Sequence, residues 1–188
     1  RRQRQMCIRA RLSPDRFIGI AETNGLIAEL DLWVLRRACQ DLAQLSQHGF
    51  GELKVTVNCS ALTLGRDELA KEVEDALHSA GLPAWRLELE VTENALMANI
   101  HSTIALLRRI REQGVSLSID DFGTGYSSLA YLKRLPLDTL KIDRSFIQDV
   151  PHSRADNNIV QAIMVMAHTL HLKVITAVSY THLRAHET

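Results

Sequence analysis

The chain has 188 residues, 46% of them hydrophobic, enough to bury one sizeable core and form a single globular domain. Its 22 basic and 22 acidic residues balance, which argues against a nucleic-acid polymer as ligand and against attraction to an anionic membrane. A small phosphate ester stays open, because a bound metal can supply positive charge locally.

No apolar run reaches the roughly 20 residues of a membrane span, and no signal-peptide pattern opens the chain. Cys7, Cys39 and Cys59 match no metal-ligand spacing. Free thiols in a reducing cytoplasm are the simplest expectation; an anchor elsewhere in a longer parent protein stays open.

In chain order, Arg1–Ala10 is basic and aperiodic, and the opposite end, Val178–Thr188, is short and rich in His and Thr. Both resemble peptides formed when sequencing-adapter DNA is read through as protein. The domain is therefore expected over 12–176, with 1–11 and 177–188 as non-native terminal sequence. Ser13-Pro14-Asp15 fits a helix start, with proline in the first turn. Helical periodicity follows over Asp31–Gln47, with Leu32, Leu35, Cys39 and Leu42 on one face. It returns over Arg66–Ser79, ending at Gly81, over Ile100–Gln113, ending at Gly114, and over Ala155–Leu170.

Between these helices lie short apolar strands: Leu53–Asn58, Arg86–Val91, Val115–Asp120, Asp138–Ile142 and Leu172–Ala177. Strands alternating with helices predict an α/β fold with a parallel sheet. Side chains alternate across a strand, and four of these strands have one apolar and one polar side. Leu53, Val55 and Val57 oppose Lys54, Thr56 and Asn58; Leu87, Leu89 and Val91 oppose Glu88 and Glu90. Val115, Leu117 and Ile119 oppose Ser116, Ser118 and Asp120; Leu140 and Ile142 oppose Thr139 and Lys141. A doubly wound sheet, covered on both faces, should be apolar on both sides. An incomplete TIM-like (β/α) barrel explains the segregation, with apolar residues meeting the helices and small or polar ones filling the centre. The last inward residues, Asn58, Glu90, Asp120 and Lys141, then gather at the carboxyl-terminal mouth, where such barrels place their chemistry.

Asn58, Glu90, Asp120 and the neighbouring Asp121 offer oxygen ligands from three strand ends, suited to hard cations such as Mg2+ or Mn2+. The competing account has the two aspartates capping their loop and Glu90 pairing with Lys141. A cluster of inward acids repels itself unless a cation sits among them, which favours the metal account. The stretch Asp121-Phe122-Gly123-Thr124-Gly125-Tyr126-Ser127-Ser128 lacks both the Walker lysine and the strict GxGxxG pattern. It is expected to be a shaped loop that positions the acids. Lys141 could bind phosphate, orient a nucleophilic water, or serve as a structural ion-pair partner. Asp143 is expected to cap the helix that follows it. The eight histidines show no ligand spacing.

The stretches LDLWVLRRAC (30–39), VTVNCS (55–60), LELEVTENALM (87–97) and LSIDDFGTGYSSLAYLKRLPLDTLKIDRSFI (117–147) resemble consecutive motifs of the EAL family, as does SPDRFIGIAETNGLI (13–27). The similarity runs from Leu12 to Thr176 without large gaps. It implies metal ligation by Asn58, Glu90, Asp120 and Asp121. Glu93 resembles the glutamate that holds the loop after the aspartate pair, and Lys141 the lysine near the attacking water. The implied chemistry is two-metal hydrolysis of one phosphodiester in cyclic di-GMP to the linear dinucleotide, in the cytoplasm, with a homodimer left open.

The sequence also departs from the family. The Glu-Ala-Leu motif expected before Ser13 is absent, as are the Glu-Gly-Val-Glu stretch expected at Ala177-Val178 and a downstream glutamine. The 188-residue chain itself is therefore expected to be inactive. The alternative is a catalytically silent EAL-like module that binds cyclic di-GMP or a partner protein. A purely structural interaction domain would explain the barrel but not its polar mouth.

Overall fold

The computed structural model describes residues 14–124, 129–147 and 153–176. The expected non-native ends, 1–11 and 177–188, lie outside the described residues, as do Ser13, Ala177 and the stretch from Gly125 to Ser128.

Helices α1 (Pro14–Thr23) and α2 (Ile27–Gln47) lead into strand β1 (Val55–Cys59). Next come α3 (Ala61–Leu64), α4 (Leu69–Ala80), β2 (Leu87–Thr92), α5 (Glu93–Met97) and α6 (Ile100–Glu112). Strand β3 (Ser116–Phe122), α7 (Leu129–Leu132), β4 (Thr139–Ile142), α8 (Arg144–Ile147), α9 (Arg154–Thr169) and β5 (Lys173–Thr176) complete the series. The strands form one parallel sheet in the order β1-β2-β3-β4-β5. Each strand end thus stands beside the next, in chain order.

The period-two pattern sorts as expected from Val57 onward, but Leu53, expected on the apolar side of the first strand, lies before β1 and is exposed. Val57, Leu87, Leu89, Val91, Leu117, Ile119, Leu140 and Ile142 are buried against the helical layer. Helix α2 contributes Leu32, Leu35, Cys39 and Leu42 to the same core and packs on β1 and α4, while α4 packs on α6. It begins at Ile27, a turn before the expected Asp31, because Ile27 and Ala28 are also buried. Gly81 ends α4 with φ 63°, a left-handed conformation that glycine adopts without penalty.

Two local features depart from simple alternation. Arg86, expected to begin a strand, closes a 3-10 turn (Ala84–Arg86) and is buried. Its guanidinium donates to the carbonyls of Leu53 (2.6 Å) and Phe50 (3.1 Å) and to Ser46 Oγ (2.5 Å), fixing the link from α2 to β1. Strand β3 runs on past Asp120 to Phe122, and its register against β4 shifts between Ile119 and Phe122. A register shift of this kind inserts a residue and re-aims side chains, a device common beside active sites.

Candidate active site

The register places the mouth residues side by side. Asn58 pairs with Glu90, Glu90 with Ser118, and Thr92 with Asp120. Ser118 in turn pairs with Thr139, two residues below Lys141 on β4. Neighbours in a parallel ladder share a face, so these residues line the same inward side. In a regular strand Asp120 and Asp121 would point to opposite faces. At the irregularity in β3 Asp121 has a φ of 53°, and its exposed carboxyl hydrogen-bonds with Asp143 and feels the charge of Asp120. Aspartate tolerates this left-handed conformation better than most residues.

Glu90 is the electrostatic centre. Burial, a hydrogen bond with Asp120 and the negative charge of Asp120 push its carboxyl up to about 7, against the opposing pull of Lys141. The Lys141 ammonium donates to Glu90 Oε2, crossing β3 above the small Ser118. The side chains of Lys141 and Glu90 are only 17% and 10% exposed, so this pair is held away from bulk water. Asp121 is also raised, by burial and then by the charges of Asp120 and Asp143. Asp143 shifts downward because its carboxylate accepts the backbone N–H (2.8 Å) and hydroxyl (2.5 Å) of Ser145, the capping role expected for it.

Glu93, almost fully buried at the start of α5, accepts the backbone N–H of Gly123 at 2.9 Å. Gly123 has φ 103°, and a Cβ there would stand 2.7 Å from Phe146 Cε2. The turn after the two aspartates is thus braced by a carboxylate on one side and an aromatic ring on the other. Asp31, which sequence reasoning placed only at a helix start, accepts the backbone N–H of Ser60 (2.8 Å) and the hydroxyl of Thr63 (2.6 Å). Burial, and then the Asp31 charge, push the Cys59 thiol up. The signal missed in sequence was an acid on α2 one turn inside the apolar stripe, facing a Ser-x-x-Thr turn. Cys39 and Cys59 are free and buried.

A cavity of about 390 Å³ opens beside these groups, lined by Asp31, Asn58, Ser60, Glu90, Thr92 and Asn94 among others. Among the described residues no three His, Cys, Asp or Glu side chains are grouped closely enough to hold a metal ion. Two features nonetheless fit a divalent cation. The donors are amide and carboxylate oxygens, the set that hard cations prefer. The Ser118 hydroxyl, paired in register with Glu90, is fully buried and has no hydrogen-bond partner among the described residues.

A polar mouth on one end of a parallel five-stranded sheet defines an α/β domain of the TIM-like barrel class. The EAL domain family model matches residues 8–178, and the chain belongs to that family. It is 66% identical over 164 residues to the cyclic di-GMP phosphodiesterase NbdA of Pseudomonas aeruginosa, covering 87% of this chain and 21% of that protein. It is 42% identical to the bifunctional diguanylate cyclase/cyclic di-GMP phosphodiesterase MucR of the same organism, over 87% of this chain and 24% of that one. The chain thus spans a fifth to a quarter of the length of these relatives. Among solved structures, the PaMucR phosphodiesterase in its c-di-GMP complex superposes with a TM-score of 0.84 at 40% identity. That match covers 90% of this chain and 69% of the other. The EAL domain of Mycobacterium smegmatis DcpA gives a TM-score of 0.76 at 38% identity, over 80% of this chain and 68% of the other.

Proposed function

We propose that this domain hydrolyses one phosphodiester bond of cyclic di-GMP, giving the linear dinucleotide, with Mg2+ or Mn2+ held by Asn58, Glu90, Asp120 and Asp121. The observation that carries the reading is the carboxyl pair of Glu90 and Asp120 at the mouth, where burial first, and then the hydrogen bond with Asp120, push Glu90 up to about 7. Such a pair is stable near neutral pH only when a proton or a cation lies against it. Its similarity to a cyclic di-GMP phosphodiesterase at 66% identity supports the choice of substrate. A divalent cation held there supplies charge neutralisation and a bound water of lowered pKa.

The protein's own residues do the rest. Lys141 sits beside Glu90, where its side-chain nitrogen can hold a phosphoryl oxygen or orient the attacking water. Glu93 acts through Gly123, fixing the turn that carries Asp120 and Asp121. The free buried thiols of Cys39 and Cys59 suit a cytoplasmic setting. No helix among the described residues is long and apolar enough to cross a membrane.

The test is formation of linear dinucleotide by a longer protein that includes this domain, with Mg2+ or Mn2+ and with chelator. Glu90→Ala and Asp120→Ala should each abolish chelator-sensitive turnover. Lys141→Ala should lower kcat more than metal affinity. Cyclic di-GMP binding without any turnover would instead establish the silent module.

A further inference from the structure

Asn58 is the odd member of the mouth. It is the only uncharged donor of its set, it stands on edge strand β1, and its side chain is exposed. A neutral amide attracts a cation weakly, so its contribution depends on being held in place rather than on charge. Immediately after Asn58 the chain turns at Cys59-Ser60 and enters α3.

That turn is held from two directions. Internally, the Ser60 hydroxyl accepts the Thr63 backbone N–H at 3.3 Å and caps α3. Externally, a single oxygen of Asp31, Oδ2, accepts both the Ser60 backbone N–H at 2.8 Å and the Thr63 hydroxyl at 2.6 Å. Asp31 stands on α2, whose buried face (Leu32, Leu35, Cys39) is locked into the core. It also lines the same cavity as Asn58 and Glu90. The carboxylate therefore links a rigid helix to the residue two positions after Asn58, at the rim of the mouth.

We infer that Asp31 is a positioning residue for Asn58: through Ser60 and Thr63 it fixes the exit of β1 so that the Asn58 amide oxygen is presented toward Glu90. The inference rests on the reading of Asn58 as a cation ligand, and it requires an acceptor at position 31 rather than a negative charge there. Both donors are neutral, and an amide oxygen could accept from them in the same geometry.

The experiment uses the full chain, isotopically labelled, with Mn2+ as the probe. Two quantities are read for the wild type, Asp31→Ala, Asp31→Asn and Thr63→Val. One is hydrogen exchange of the Ser60 amide together with the Asn58 carboxamide resonances. The other is Mn2+ affinity, followed by paramagnetic broadening at Asn58. Supports of a metal ligand typically cost 10–100-fold in affinity when removed. Asp31→Ala should accordingly weaken Mn2+ by at least about tenfold, speed Ser60 exchange by a similar factor, and split or broaden the Asn58 carboxamide signals. Asp31→Asn should hold Mn2+ affinity to within about threefold of wild type, and Thr63→Val should fall between, since it removes one of two hydrogen bonds. A role confined to global stability would not separate Asp31→Asn from Asp31→Ala at the Asn58 signal.

Unchanged Ser60 exchange and Mn2+ affinity in Asp31→Ala would overturn the inference. Loss in Asp31→Asn equal to that in Asp31→Ala would overturn it too, by making the charge the active feature. If Asp31→Ala does not fold, Thr63→Val and Asp31→Asn decide. If the wild type shows no Mn2+ broadening at Asn58, the metal reading fails by itself, and the carboxamide and exchange signals still decide whether Asp31 positions Asn58.

Discussion

The Glu93 carboxylate accepts the backbone N–H of Gly123 at 2.9 Å, tying the turn after β3 to the helix that follows β2. Glu93 is 1% exposed, so a substitution that removes its oxygen leaves a partly buried N–H without that acceptor. Hydrogen bonds to a charged acceptor are worth roughly 1.5–3 kcal/mol. Glu93→Ala should therefore destabilise the fold by about 2 kcal/mol in urea unfolding. Glu93→Gln keeps an acceptor oxygen and should lose less than half as much. Equal losses would mean that the packing of the side chain, rather than its contact with Gly123, sets the effect.

The other side of that turn makes a steric prediction. A Cβ on Gly123 would meet Phe146 at 2.7 Å, and the φ of 103° disfavours any side chain. Gly123→Ala should cost about 2–3 kcal/mol, adding clash to backbone strain. In Phe146→Ala the clash is relieved while the strain persists. The double variant should then be less destabilised than the sum of the singles by about 1 kcal/mol or more. Strict additivity in the thermal or urea midpoints would remove Phe146 from the account of this turn.

Most of the fold was legible in the sequence because two periodicities carry it. Val57, Leu89, Ile119 and Leu140 announced the helix-facing side of their strands, and Asn58, Glu90, Asp120 and Lys141 the other. Parallel register follows from that alternation once the strands are ordered along the chain. What alternation cannot encode is its own interruption. The bulge around Asp120 and Asp121 depends on backbone pairing with β4, and no local residue pattern specifies it. Asp31 was hidden for a related reason: its partners lie 29 and 32 positions away. Its pairing to the Ser60 backbone N–H leaves no trace in residue type, and the Thr63 hydroxyl of the Ser-x-x-Thr turn is the one partner that sequence displays. The pairing of Lys141 with Glu90 was foreseen as the rival to metal binding, and the fold contains it beside the carboxyl pair.

Arg86 is a further case of long-range satisfaction, and it carries the largest expected stability effect outside the mouth. The guanidinium is 3% exposed and serves three acceptors, two of them backbone carbonyls in the turn before β1. Arg86→Met fills similar volume but strands those acceptors. Leaving buried polar groups unpaired costs roughly 1–3 kcal/mol each. A total loss of about 3 kcal/mol or more is expected, read as a lower urea midpoint, with Arg86→Lys recovering part of it. A loss under about 1 kcal/mol would show that water replaces the guanidinium readily.

The last prediction concerns pH and metal together. Glu90 has an ordinary carboxyl value of 4.5 and stands at about 7 in the fold, raised first by burial and then by Asp120. A carboxyl with a folded pKa above its unfolded one binds its proton more tightly when folded. Its stabilisation is present below the unfolded value and is lost as pH rises through the folded value. Stability should consequently fall between about pH 5 and about pH 8, by roughly 1–3 kcal/mol. Asp121 shifts in the same direction, whereas Asp143 shifts downward and acts only in more acid solution. Lys141→Met removes the partner that lowers Glu90 and should steepen the fall; Asp120→Asn removes the partner that raises it and should flatten it. A divalent cation competes with the proton for the same oxygens, so magnesium should raise Tm more near pH 8 than near pH 5. Thermal unfolding of the wild type and both variants across this range, with and without magnesium, measures all of these slopes. A stability that rises from pH 5 to pH 8 in the wild type, or a magnesium effect that is larger in acid, would contradict the assignment of Glu90 as the proton- and cation-binding centre of the mouth.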